Sequence, residues 1–343
     1  MECPMASSTR SGQTAVTRKV VLLGALVALA MGVYSGGWML AATLMRQRVS
    51  ELFDGGDAGG AEVRCNDMDI RGYPFRIGLF CSSITVDDRF NGISASLGAF
   101  RSAARVYAPS HFVWEMDSPA EVRSALGFSF SAQWEKLHSS ASAWFDGLSR
   151  SSLVTEGLKI DATAVADRST ATVRSEHGEF HIRRNGEDLD AAALVTNASV
   201  LMPKATPLTL PPVSASLDVT LLGKAALLDP AHDAAAAELY GSKGEIRRLV
   251  IDLGEGRVLT ASGPLSVGDD GNLSGKLHLE LEKVEGWKEA LTTAFPNSSE
   301  DFDNAAKVLA ALFGGKDSGS AELILHEGVV SVGIIPIGIL PPL

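Results

Sequence analysis

Cys65 and Cys81 are the residues whose type and spacing point most directly to chemistry. Between them, residues 67–71 and 75–80 read as two strands, and the GYP run at 72–74 favours a tight turn. Such a hairpin brings the two thiols together, and outside the cytoplasm a pair of this kind forms a disulfide. Closing the loop would contribute about 3 kcal/mol to stability. A metal or redox pair is the alternative, but it would favour the shorter CxxC spacing.

The seven histidines show no pattern that predicts a metal centre or a catalytic site. His177 and His181 are four residues apart, but Gly178 and strand-like sequence between them exclude a helical metal pair. The sequence contains no GxSxG elbow, no P-loop and no GxGxxG between a strand and a helix. We interpret all seven histidines as solvated surface residues and predict no metal ligand, no cofactor, no catalytic residue and no enzymatic activity. Three acidic pairs fall at predicted turns without calcium-loop spacing, at residues 87–88, 187–188 and 269–270.

An uncharged apolar stretch covers residues 20–45. As a helix it would be about 39 Å long, which is enough to cross a hydrocarbon core of about 30 Å. Arg18 and Lys19 flank its N-terminal end, so the positive-inside rule places residues 1–19 in the cytoplasm. The sequence therefore predicts a single-pass anchor in the inner membrane, with residues 46–62 as a linker and residues 63–343 as a periplasmic domain.

A cleaved signal peptide is the alternative interpretation of the same N-terminal stretch. Its apolar region would end near Ala30, where Ala28-Leu29-Ala30 has the small-x-small pattern of a cleavage site. Apolar sequence continues well beyond that point, which a cleaved peptide does not need, so the anchor is favoured. Both interpretations export the rest of the chain.

The composition limits the partners of the exported part. The chain of 343 residues has a net charge of −11, and Glu2 is the only acidic residue before position 49. A strongly acidic domain argues against binding of DNA or RNA and against broad adhesion to anionic lipid. Hydrophobic residues make up 45% and aromatic residues only 6%, so the core must consist mainly of aliphatic side chains.

Alternating polar and apolar residues predict a largely antiparallel sheet. In residues 273–282 leucines and Gly275 alternate with polar side chains, which is typical of a strand with one apolar face. The same alternation, separated by Gly-containing turns, recurs at 158–164, 170–175, 215–221 and 249–267. We therefore predict a mainly β (α+β) fold, in which an extended curved antiparallel sheet carries a few packed helices and follows one transmembrane helix.

Four helices are predicted within this domain. Ser118 and Pro119 read as the N-cap and first position of a short helix to about residue 126. Residues 230–240 are Ala-rich, and residues 285–295 and 301–313 read as a helical pair. In the last of these an apolar stripe should pack on the sheet. Residues 321–340 return to strand, with a turn at Glu327-Gly328.

Residues 70–76 also carry a resemblance to a known family. With the flanking cysteines, this run resembles an exported, membrane-anchored family of Gram-negative bacteria known as domain of unknown function 2125. Three further stretches are similar, at residues 100–119, 244–284 and 333–343. The resemblance implies no activity, and a looser similarity to AsmA-like envelope proteins points towards lipid. The motif residues are Gly72, Tyr73, Pro74, Phe75 and Arg76.

The predicted sheet suggests two functions. If the helices leave part of its apolar face uncovered, that face forms a groove that binds lipid or another apolar ligand. If the helices cover the face, it is ordinary core, and the protein is an envelope scaffold or assembly factor with a protein partner. The almost wholly apolar residues 329–343 fit either function, because an exposed tail of this kind must pack or bind something.

Overall fold

The computed structural model describes residues 11–54, 61–144, 147–164, 169–202, 210–229, 239–333 and 335–342. These residues form three α-helices and one antiparallel sheet of twenty strands. The mainly β fold with an extended sheet and a preceding apolar helix is confirmed. The strands are β1 Ala61–Asn66, β2 Asp69–Arg71, β3 Arg76–Cys81, β4 Ser83–Asp88, β5 Ile93–Leu97, β6 Phe100–Arg105, β7 Ala108–Met116, β8 Ala120–Ser124, β9 Phe128–Gln133, β10 Lys136–Trp144, β11 Gly147–Ala164, β12 Ser169–Asn185, β13 Asp188–Leu201, β14 Val213–Leu221, β15 Lys243–Asp252, β16 Val258–Val267, β17 Leu273–Glu282, β18 Ser318–His326, β19 Val329–Val332 and β20 Ile335–Ile339.

The N-terminal helix α1, Ser11–Asp54, is longer than the predicted anchor. Its segment Thr17–Glu51 is long and apolar enough to cross a membrane. The helix continues through the first part of the predicted linker 46–62, and β1 begins at Ala61. Of that linker, residues 55–60 lie outside the described residues.

Strands β1 to β10 form five longer strands, each of which consists of two consecutive strands separated by a kink. Their kinks align, because each half pairs with the corresponding half of the next kinked strand. A crease therefore crosses the sheet and reaches β11, where Gly157 has a φ of +61°. The backbones approach closely at the crease, since a Cβ at Gly98 would collide with the carbonyl of Asp117. The pairs are β1–β2, β3–β4, β5–β6, β7–β8 and β9–β10.

From β11 to β20 every strand pairs with the next strand in the sequence. Register shifts interrupt several of these ladders, for example between Asp218 and Val219 of β14. Each shift bends the strand and increases its twist, which curves the sheet. The predicted turns at 185–186, 254–256, 269–272 and 327–328 all connect neighbouring strands, as expected.

Two helices pack on the C-terminal part of the sheet. Helices α2, Val284–Ala294, and α3, Ser299–Leu312, confirm the predicted helical pair. Around them lies a buried hydrophobic cluster of Leu281, Val284, Ala306 and Phe313. Leu259, Trp287, Leu309 and Ala321 pack against the cluster at its edge. Among the described residues no large side chain is completely buried, so the sheet lacks a deep central core.

The predicted helix at 119–126 is wrong. Residues 120–124 form β8, which pairs with β5 on one side and with β9 on the other. Two complete ladders stabilise this segment more than its N-cap signal could, and Val122 is β-branched and suits a strand. The predicted helix at 230–240 lies largely outside the described residues.

Candidate functional site: an uncovered apolar face

One side of the sheet carries rows of apolar side chains that run across the strands. Residues opposite each other in a ladder point to the same side of a sheet, so the pairing registers define these rows. The first row, below the crease, crosses eight strands from β1 to β13 and contains no polar residue. It comprises Cys65, Ile84, Leu97, Ala120, Ala132, Ile160, Val173 and Val200.

A second row lies above the crease and crosses ten strands from β7 to β18. Ser139 is its only polar member, and it is almost fully buried. The C-terminal end of this row lies at the cluster formed with α2 and α3. The row comprises Trp114, Ser139, Leu153, Phe180, Ala193, Leu217, Leu249, Ala261, Leu279 and Ala321.

The Cys65–Cys81 disulfide shows that both rows are on one side of the sheet. Cys65 belongs to the first row, and Cys81 is paired with Phe100, whose ring contacts that of Trp114 in the second row. The Cα atoms of the two cysteines are 5.3 Å apart across the crease. The predicted disulfide is present, and it connects the two apolar surfaces into one, which we call the apolar face.

Much of the apolar face is uncovered in the structure. Phe180, in the middle of the second row, is 46% exposed. Phe128 and Phe130 of β9 are also about half exposed, and Val173 and Val200 are more than one third exposed. Helices α2 and α3 cover only the end near β16–β18. A short 3-10 helix, Ala225–Leu228, contacts β11, β12 and β13. The helices nevertheless leave Phe128, Phe130 and Phe180 about half exposed.

The opposite side of the sheet is more polar and carries cross-strand ion pairs, and we call it the polar side. Asp190, only 4% exposed, accepts hydrogen bonds from Arg183 and Thr220 and lies 3.4 Å from Arg247. Burial opposes its ionisation, but the hydrogen bonds from Thr220 and Arg183 outweigh that effect and hold its pKa below the ordinary value. Arg247 also pairs with Asp218. These charged side chains distinguish this side of the sheet from the apolar face.

A second polar group links His177 and His181, which the sequence predicts to be solvated surface residues. His177 is bonded to Glu179 at 2.8 Å and to Glu156 at 3.0 Å, and His181 is bonded to Glu179 and to Ser152. Hydrogen bonds to Glu179 and then Glu156 raise the pKa of His177, and the bonds from His181 and His177 lower that of Glu179. The side chains of both histidines are partly exposed. His177, Glu179 and His181 alternate along β12, and Glu156 and Ser152 lie opposite the two histidines on β11. This pairing depends on the strand register, which the sequence alone does not give.

The motif residues form the turn between β2 and β3. A Cβ at Gly72 would lie 2.7 Å from the carbonyl oxygen of Arg76, and its φ is +120°, so only glycine fits without strain. The turn contacts helix α1. The Tyr73 hydroxyl bonds Ser35 at 2.8 Å, and the Arg76 carbonyl accepts a hydrogen bond from Trp38 at 2.9 Å. Sequence reasoning identified the turn but missed its docking on the helix, which depends on tertiary contacts alone.

The described residues contain no cluster of three or more His, Cys, Asp or Glu side chains that could hold a metal ion. The histidine group consists of hydrogen bonds and ion pairs that the local residues satisfy. The arrangement offers apolar contact on one side of the sheet and ion pairs on the other.

Comparison with known proteins identifies a family. No curated protein and no solved structure matches the chain. Residues 38–341 match the family described as an uncharacterized protein conserved in bacteria, and this match includes the disulfide, the motif turn and the whole sheet. The chain therefore belongs to the family called domain of unknown function 2125.

Proposed function

We propose that this protein is anchored in the inner membrane by α1 and binds a lipid acyl chain, or a similar apolar ligand, on the apolar face of a periplasmic sheet. The observation that carries the proposal is the uncovered, uninterrupted apolar row across eight strands. Its role is binding and not catalysis. The disulfide supports an oxidising compartment.

The dimensions of the face suit an acyl chain. At about 4.8 Å between strands, the seven intervals of the first row span roughly 34 Å. One leaflet of the hydrocarbon core is about 15 Å thick, so an acyl chain fits along part of this row. Each methylene transferred from water to such a surface contributes about 0.8 kcal/mol. A long chain could therefore bind tightly without any polar contact.

The position of the anchor supports a lipid as the ligand. Helix α1 ends at Asp54, and β1, which carries the first apolar row, begins at Ala61. A chain tethered to the bilayer by α1 holds its apolar face close to a supply of lipid. The acidic composition disfavours binding through anionic headgroups, so recognition would depend on the apolar chain.

Phe180→Gln tests this proposal. The change removes an exposed aromatic ring from the centre of the apolar face, which we expect to cost about 1.5 kcal/mol of ligand binding, or about tenfold in affinity. Leu194→Gln is the matched control, because Leu194 is 39% exposed and lies opposite Glu179 on the polar side. The full-length proteins are purified in mild detergent, extracted with organic solvent and compared by lipid mass spectrometry.

The expected result is an acyl-chain species at defined stoichiometry in the parent and in Leu194→Gln, with a clear loss in Phe180→Gln. The amount of lipid that merely surrounds α1 would be equal in both variants, because α1 is unchanged. Equal lipid content in both variants would overturn the proposal.

An envelope scaffold with a protein partner is the alternative function. Strand β20 favours it, because all five of its residues are exposed and, among the described strands, it pairs only with β19. An edge strand of this kind can accept a strand from another protein. Capture of a stoichiometric protein partner that is lost when Ile337 is replaced by proline, with no bound lipid in the parent, would favour this function.

A further inference from the structure

Helix α1 and the motif turn lie against each other over a defined length. At one end, Tyr34 donates a hydrogen bond to the Pro74 carbonyl, and the rings of Trp38 and Tyr73 meet edge to face at 5.5 Å. At the other end, Arg46 pairs with Asp69 at 3.3 Å. The helix rises about 15 Å from residue 36 to residue 46. The segment from residue 73 to residue 69, which comprises β2 and the first part of the turn, advances up to about 13 Å, so it runs beside the helix.

These contacts fix where the turn lies relative to the membrane. The tip of the turn is level with residues 34–38 of α1, inside the apolar stretch 20–45. If hydrocarbon extended to Met45, the tip would be buried about 10 Å or more within it. Phe75 at the tip is 68% exposed, and its neighbour Arg76, which carries a positive charge, is also exposed. A charged side chain is costly at that depth in the hydrocarbon region.

A membrane boundary near Trp38 resolves this conflict. Residues 20–38 then form the span, and at 1.5 Å per residue they are about 28 Å long, close to a hydrocarbon thickness of about 30 Å. Arg18 and Lys19 lie at the other boundary. The headgroup layer is about 5–8 Å deep on each side, and it accommodates the exposed apolar residues Met39 and Leu40.

The neighbouring strand tip carries a further aromatic residue. The turn between β6 and β7 is hydrogen-bonded to the motif turn, from the Val106 amide to the Phe75 carbonyl at 3.1 Å. Tyr107 in that turn is 73% exposed. Tyrosine and tryptophan are enriched at membrane–water interfaces, where the ring meets the acyl boundary and the polar group meets headgroups. Tyr34, Trp38, Tyr73 and Tyr107 are residues of this kind.

We propose that the motif turn, with Phe75 at its tip and Tyr107 beside it, is a membrane-contact surface that rests in the headgroup layer of a phospholipid bilayer. The transmembrane span then ends near Trp38, and the sheet stands on the membrane with this end down. The inference rests on the anchoring part of the proposed function but not on ligand binding by the apolar face.

Spin labels at matched positions test the surface. Phe75→Cys and Tyr107→Cys place a label at the two tips, in a chain that also carries Cys3→Ser so that no other free thiol remains beside the disulfide. Phe90→Cys is the control. Phe90 is 86% exposed in the turn between β4 and β5, beyond the far end of the kinked strand β3–β4. Leu29→Cys, in the middle of α1, reports on the anchor. The full-length proteins are placed in nanodiscs of phosphatidylethanolamine and phosphatidylglycerol.

The measurement is the accessibility of each label to oxygen, which concentrates in the bilayer, and to a water-soluble nickel chelate. We expect labels at 75 and 107 to be at least threefold less accessible to the chelate than the label at 90, and the label at 29 to be inaccessible to it. If the label at 29 is in the bilayer, but the labels at 75 and 107 are as accessible to the chelate as the label at 90, the membrane-contact surface alone is overturned. A label at 29 exposed to the chelate would overturn the anchor and the surface together.

Discussion

Removal of the Cys65–Cys81 disulfide should lower the free energy of unfolding by about 3 kcal/mol. The bond closes a loop with a sequence separation of 16 residues. In the chain-entropy model, opening a loop of this size gives the unfolded chain about 10 cal/mol/K of additional entropy, which is about 3 kcal/mol at 25 °C. Replacement by alanine leaves only a small void at Cys81, which is 3% exposed.

The folded state should persist without the bond. Within the loop, β2 pairs with β3 from Asp69 opposite Phe80 to Arg71 opposite Gly78. Strand β1 pairs with β4 along all six of its residues, from Ala61 opposite Asp88 onwards. Because these ladders keep the two segments in place, the expected loss arises mainly in the unfolded state.

Equilibrium unfolding in urea, followed by far-ultraviolet circular dichroism in detergent micelles, measures the effect. The variant is Cys65→Ala with Cys81→Ala in a Cys3→Ser chain, and the Cys3→Ser chain is the reference. Reductant should shift the reference to the midpoint of the variant and leave the variant unchanged. A loss below about 1 kcal/mol, with the native spectrum retained, would refute the reasoning, because the loop would then already be closed in the unfolded chain.

Two further predictions concern the polar side and the core cluster. His177 has a raised pKa, so its protonated form is favoured in the folded protein. Its contribution to stability should be complete below a pH of about 6.5 and lost as the pH rises through the folded pKa. The unfolding midpoint of His177→Gln should therefore change less over this range than that of the parent, and parallel pH profiles would contradict the assignment. Phe313→Ala empties the centre of the buried cluster and should cost about 3–4 kcal/mol in urea unfolding, whereas Phe90→Ala, at an exposed turn, should cost less than about 0.5 kcal/mol. Equal losses in these two variants would show that the cluster does not hold α2 and α3 on the sheet.

The sequence predicted the elements that depend on the spacing of nearby apolar residues and on turn signals. The strand 273–282 and the helices 284–294 and 299–312 follow directly from the spacing of their apolar residues. The disulfide followed from a turn signal between two short strands. Ala120–Ser124 could not be predicted in this way, because its pairing with β5 and β9 outweighs a helix-start signal.

The sequence predicted that one side of the sheet is apolar, but it did not predict that this side is exposed. The alternation of polar and apolar residues indicated that one side of each strand is apolar. It did not decide whether that side is ordinary core or a groove that binds a ligand. The decision depends on where α2 and α3 pack, which is a matter of tertiary structure. Exposure of Phe180 and Phe130 therefore had no local signal. The same holds for the docking of Tyr73 on α1, since the two segments are far apart in sequence.

The order of the strands has a consequence for how the chain acquires its fold. Each strand, or kinked strand, pairs with the one made just before it, so no segment has to wait for a partner from the distant C-terminal part. A chain that emerges from a ribosome or a translocation pore can extend its sheet by one hairpin at a time, with the edge of the finished part as the template for the next strand. The α1–β2–β3 unit comes first in this sequence, and the disulfide can form as soon as Cys81 has emerged. The N-terminal part of the protein can therefore fold first and provide the sheet edge to which the later strands are added.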